Sequence, residues 1–226
     1  MKKKDILFII CCLSILSLFI FIKPLGNIFM EFSSYKDWRG LIMAFIKFSI
    51  LATLGESVGL RIKNGVYSHS GFGLVPRAIV WGFLGVIISI AMAIFSAGTP
   101  LFLSNIGIDI TSKLFIIRLL IAFFTSVAMN LFFAPVFMTF HKITDTHIIN
   151  NGGKFLGLFK PMKFKEIFTQ LNWGVLYGFV FKKTIPLFWF PAHTLTFMLP
   201  AEWRVLFAAF LGIVLGLILS IAARKN

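Results

Sequence analysis

Glu56 is the residue whose position asks most of the chain. It stands inside the apolar stretch 41–60, where a carboxylate costs about 2.5–3.5 kcal/mol on insertion scales. A charge at that depth normally faces the interior of a bundle and meets an opposite charge. Lys47, Arg118, Lys182 and Lys183 are the basic candidates. Lys47 falls about half a turn away around the same helix, which disfavours a pair within it. One reading makes Glu56 a carboxylate lining a solute pathway; the plainer one leaves it hydrated near the inner end, close to Arg61. Lys182 and Lys183 are a second chemical feature. They lie in the apolar stretch 171–199, which Pro186 and Pro191 break. Their amines either line a wet cavity that attracts anions or snorkel to the head groups.

Other chemistry is sparse. The sequence has no H-E-x-x-H, no phosphate-cradling loop and no G-x-S-x-G, and Gly71-Phe72-Gly73 is too short to hold a phosphate. His69, His141, His147 and His193 are scattered without metal-ligand spacing, so they read as structural imidazoles. Cys11 and Cys12 are adjacent in an apolar run, and adjacent cysteines cannot staple a fold. Ile10 before them argues against a lipoprotein signal. No acidic residue in another span answers Glu56 as a catalytic partner. An enzyme, a metal and a cofactor are therefore not expected.

These residues need elements to hold them, and composition decides which kind. Of the 226 residues 58% are hydrophobic and 13% charged, against about 25% charged in soluble domains. That share cannot cover a water-facing surface, so the expected fold is an all-α, multi-span transmembrane helix bundle. Apolar runs occupy 6–22, 41–60, 78–97, about 114–140 and 205–223, with the broken stretch 171–199 between the last two. Five membrane helices follow if that stretch re-enters, six if it spans. The run 6–22 follows Lys2–Lys4 without a good cleavage site, so it reads as an uncleaved first helix.

Net charge is +14, from 22 Lys and Arg against 8 Asp and Glu. The basic residues gather at the ends of apolar runs, which speaks for topology and anionic head groups rather than nucleic acid. With the N-terminus inside a bacterial plasma membrane, six spans put most Lys and Arg on the inner side, as the positive-inside rule expects. Trp38, Trp173 and Trp203 then precede spans at head-group depth. Residues 155–171 read as an amphipathic helix in the inner interface, because Phe164, Ile167, Phe168 and Leu171 follow helical spacing and Lys163, Lys165 and Glu166 fall between them. Gly55 with Gly59, and Gly212 with Gly216, are small-xxx-small pairs that let helices approach closely.

The C-terminal third carries a further pattern: Pro191, Phe197, Leu199-Pro200, Trp203-Arg204-Val205-Leu206 and Leu219-Ser220. It resembles the signature of the Mpv-seventeen family, which includes the twenty-two-kilodalton peroxisomal membrane protein. Gly55-Glu56 resembles that family's Gly-Asp, and Asn130 with Ala134-Pro135 resembles its central segment. The chain departs from the pattern at Thr196, Leu215 and Met129, where the family has Asn, Trp and Asp, and the Gln after Gly-Asp is missing. The resemblance covers residues 41–223 and suggests a divergent bacterial-type member. It implies a small multi-span protein proposed to pass small metabolites, with Glu56, Asn130, Pro135, Pro200 and Arg204 as the marked residues.

The expectation is therefore a membrane pore or transporter-like protein for small solutes, with a non-transporting scaffold or stress-response protein as the alternative. Residues 1–40 would be an N-terminal helix and loop, and 41–226 the family-like bundle. The bilayer and its anionic lipids are the expected partners, a homo-oligomer is compatible with the helix pairs, and nucleic acid is not expected.

Overall fold

Proline and glycine cut the apolar sequence into helices. A computed structural model describes residues 37–222, with side chains as far as residue 216. The expected first helix, 6–22, lies outside the described residues. The chain divides into two compact units, residues 1–43 and 44–226, and, apart from the start of the first described helix, everything described below lies in the second.

Helix α1 is Trp38–Asn64 and α2 is Leu74–Asn105. Pro76 sits in the first turn of α2, where its missing N–H costs no helical bond. Helices α3, Phe115–Phe132, and α4, Ala134–Asn150, follow. A 3₁₀ turn, Phe155–Phe159, leads to α5, Phe164–Gln170. A helical turn at Trp173–Val175 runs into a π-helical stretch, Leu176–Trp189, and then into α6, Phe190–Met198. The last helix, α7, is Ala201–Ala222. Among the described residues there is no strand.

Three of these helices, α1, α2 and α3, are long and apolar enough to cross a membrane. The fold is a helical membrane bundle to that extent, and the expected five to six spans are not reached by these three. Two differences have a clear cause. The expected run 114–140 is interrupted at Phe133, because Pro135 offers no N–H to continue α3. The expected amphipathic helix 155–171 is shorter, because Pro161 separates the 3₁₀ turn from α5. Of its apolar positions Ile167 and Leu171 are buried, while Phe164 and Phe168 are exposed. The broken stretch has no hairpin at Pro186: helical backbone continues from Trp173 to Met198. Proline is accommodated there by the wider π register, in which the Phe190 N–H reaches back to the Ile185 carbonyl.

The core is built from small and medium side chains of five helices. Phe48 and Ala52 of α1 meet Ile88, Ala91 and Met92 of α2, Ala122 and Met129 of α3, Phe197 of α6, and Ala208 and Ala209 of α7. Alanine at such contacts lets helix axes approach, which is how helices gain packing energy in lipid. The outward faces are apolar as well: Phe83 is 63% exposed, Ile94 61% and Leu187 76%. Water would not tolerate that much exposed apolar surface; lipid does.

The glycine pairs behave differently from one another. A Cβ on Gly55 would meet Ile213 of α7 at 3.1 Å, and one on Gly216 would meet the Gly55 carbonyl at 3.7 Å. Those two glycines mark a close approach of α1 and α7. Gly59 is half-buried. Among the described residues a Cβ on Gly212 would meet nothing within 4 Å. The tightest crossing was not anticipated. Gly82 and Gly85 of α2 lie directly against Phe45, Ser49 and Phe48 of α1, with no room for a side chain.

Candidate functional site

Glu56 lies near the C-terminal end of α1, half-buried, and its partner is Arg77 in the first turns of α2. Arg77 Nη1 donates to Glu56 Oε2 at 2.5 Å. Trp81, one turn further along α2, donates its indole N–H to Glu56 Oε1 at 2.9 Å. His141 of α4 brings Nε2 to 3.6 Å from the same oxygen, and its ring packs on Trp81 with centroids 4.5 Å apart. None of the expected partners, Lys47, Arg118, Lys182 or Lys183, is among these contacts. The pair spans two helices, as inter-helix charge pairing at depth requires.

Arg77 also holds Asp145 of α4 in an ion pair. Lys142 donates to the other Asp145 oxygen at 3.2 Å. The Arg77 guanidinium is fixed from its remaining side: Nε donates to the Phe72 carbonyl at 2.7 Å, and the group lies 4.6 Å from the Phe72 ring centre. Glu56, Arg77, Asp145 and Lys142 sum to zero charge, which is the condition for burying such a set at tolerable cost.

Two of the charged groups stand on α4, outside the three candidate spans. Burial works against the Asp145 carboxylate, but Arg77, Lys142 and His141 outweigh it and hold the carboxyl below its ordinary range. Burial pushes the His141 imidazole down, against the opposing pull of Glu56 and Asp145. Its Nδ1 has no hydrogen-bond partner among the described residues.

Local backbone sets this geometry. Gly73, with φ 72°, caps the start of α2, and Gly153, with φ 65°, closes the turn after α4. A Cβ on Gly73 would lie 2.8 Å from Gly153 Cα, and one on Gly153 would lie 2.6 Å from the Gly71 carbonyl. Left-handed backbone and direct contact both exclude a side chain here. The two loops are thereby pressed together, and this brings the first turns of α2 beside the last turns of α4.

Other expected site residues lie elsewhere. Asn130 is buried on α3 and donates to the Ser126 carbonyl at 2.9 Å, with His193 Nδ1 of α6 also at 2.9 Å. Ser126 Oγ donates to the Phe190 carbonyl at 2.8 Å. These bonds seam α3 to α6. Pro135 starts α4, and its carbonyl accepts from Thr139 Oγ1 at 2.8 Å. Pro191 lies in the first turn of α6. Lys182 and Lys183 are exposed on the π-helical stretch, with Lys182 Nζ 4.8 Å from the Tyr177 ring centre; they do not converge with Glu56. Arg204 and Pro200 line a cavity at the opposite end of the bundle. Met129, where the family pattern has Asp, is apolar core.

The sequence reading missed Arg77, Trp81, His141 and Asp145 as a group. One signal was available: His141 and Asp145 are four apart, on one face of α4. Among the described residues no set of three or more His, Cys, Asp or Glu is placed to hold a metal. Compared with known proteins, the chain matches no family model, no curated protein and no solved structure.

Proposed function

We propose that this membrane protein passes small solutes and that the Glu56–Arg77–Asp145 network is the latch closing its path at one end. The observation that carries this reading is the network itself. It ties α1, α2 and α4 together through charges, in a chain with three helices apolar enough to cross a membrane. Ionisable groups at such positions commonly mark pathways and relays. A latch of ion pairs has two discrete states, and separating the helices breaks it as a unit.

The resemblance to the Mpv-seventeen family, with its proposed passage of small metabolites, supports the same reading, in which this chain is proposed as a divergent member. The test is release of small charged and neutral dyes from proteoliposomes holding the full chain. Release from the parent, increased by Glu56→Gln, is the expected result. A tight vesicle with parent and variant alike would leave the network a structural tie and favour the scaffold alternative.

A further inference from the structure

A cavity of about 420 Å³ opens at the end of the bundle away from the ion network. It lies between the last turns of α2, the first turns of α3 and the turn joining α6 to α7. The volume falls within the usual range for small-molecule sites. Its walls are mostly apolar, with Ile121, Phe197 and Met198 among them, and no acidic residue lines it. Two guanidiniums, those of Arg118 and Arg204, do.

The two arginines are held differently. Arg204 donates Nε to the Leu199 carbonyl at 3.0 Å and Nη2 to the Phe197 carbonyl at 3.2 Å. Those bonds fix the plane of the group and leave Nη1 without a protein partner among the described residues. The Arg118 side chain makes no hydrogen bond or ion pair among the described residues; only its backbone N–H donates, to the Leu114 carbonyl. The hydroxyls on the wall offer nothing more, since Ser96 and Thr125 are turned to carbonyls of their own helices. The cavity thus has two positive forks and mostly apolar walls, and the Glu202 carboxylate, which acts on Arg204, lies outside its lining. Arg204 is half-buried and Arg118 exposed at the mouth, so an anion between them would partner guanidinium donors that no lining group answers. Planar guanidiniums match carboxylate and phosphate oxygens in pairs.

We propose that this cavity binds an amphiphile with a single oxyanion head, carboxylate or phosphate, between Arg118 and Arg204, its apolar part lying against Phe197 and Met198. The site stands apart from the passage reading, since an anion held there needs no path through the bundle. Its head can come from a soluble acid or from an anionic lipid of the surrounding leaflet.

The test uses the full chain in phosphatidylcholine nanodiscs. One arm measures binding of hexanoate and butyl phosphate, with hexanol as the uncharged comparator. A second arm measures retention of phosphatidylglycerol against phosphatidylcholine by native mass spectrometry. Binding of the anions but not hexanol, reduced roughly ten-fold or more by Arg118→Gln and less by Arg118→Lys, which keeps the charge but not the fork, is expected, because one charge-assisted contact is lost. Soluble anions bound without lipid selectivity assign the head to a free acid; selective retention of phosphatidylglycerol assigns it to lipid. Helical content and elution of Arg118→Gln should match the parent, because the side chain holds no bond in the described fold. Equal binding of hexanol and hexanoate with no lipid selectivity, or binding unchanged in Arg118→Gln, would overturn the proposal.

Discussion

Glu56 is tolerated inside an apolar helix because two donors reach its oxygens, one from Arg77 and one from Trp81. Arg77 matters more than Glu56 to the set, since it alone touches both carboxylates. Removing it leaves two acids beside each other without their shared cation. Arg77→Gln should therefore cost about 3–5 kcal/mol. Glu56→Gln should cost about 1–2 kcal/mol, because the amide oxygen still accepts from Trp81 and Arg77 keeps Asp145. Unfolding of the detergent-solubilised protein measures both, and equal losses would refute this ranking. Asp145 adds a pH dependence. Its carboxyl sits below the ordinary range in the fold, so its contribution is complete above about pH 4 and is lost as pH falls through the lower folded value. The parent should lose thermal stability below pH 4 more steeply than Asp145→Asn; parallel profiles would contradict the assignment. Glu56 was legible from the sequence because a carboxylate in an apolar run is conspicuous. Its partner was not, because Arg77 stands at the edge of a run, where any arginine reads as a topology signal.

Helix α2 approaches α1 through Gly82 and Gly85, where the ring of Phe45 and the side chain of Phe48 occupy the space a Cβ would need. Gly85→Leu should destabilise the bundle by about 1–3 kcal/mol or more, as overpacking does. Gly212→Ala, whose new methyl meets nothing within 4 Å among the described residues, should be neutral or slightly stabilising through helix propensity. The contrast between the two in one unfolding assay checks the crossing, and a costly Gly212→Ala would contradict it. The spacing of Gly55, Gly59, Gly212 and Gly216 announced two close contacts, and among the described residues Gly55 and Gly216 meet while nothing approaches Gly212 within 4 Å. A small-xxx-small pattern identifies a face able to pack; the neighbouring helix decides whether it does. The π-helical stretch was also hidden, because Pro186 predicts a break, whereas a wider register absorbs it. The Gly73–Gly153 contact was unreadable for a simpler reason: each glycine looks like an ordinary turn until the two loops meet.

At the scale of the molecule, the membrane class followed from composition, and the exposed faces of Phe83, Ile94 and Leu187 agree with it. The number of spans was less legible. Apolar runs report length and hydropathy, whereas the helices are divided by proline positions such as Pro135, and three of them meet the requirements of a span. The bundle carries charge at both ends in different forms: a neutral, closed network where α1 meets α2, and two arginines around an open cavity where α2 meets α3. The closed network is the centre of the functional account, and conductance across a planar bilayer tests it most directly. With equal amounts of protein reconstituted, the account predicts a low conductance for the parent and a several-fold higher open fraction for Glu56→Gln, whose weakened latch releases α1 from α2. Equal conductance of the two, or none from either, would contradict it.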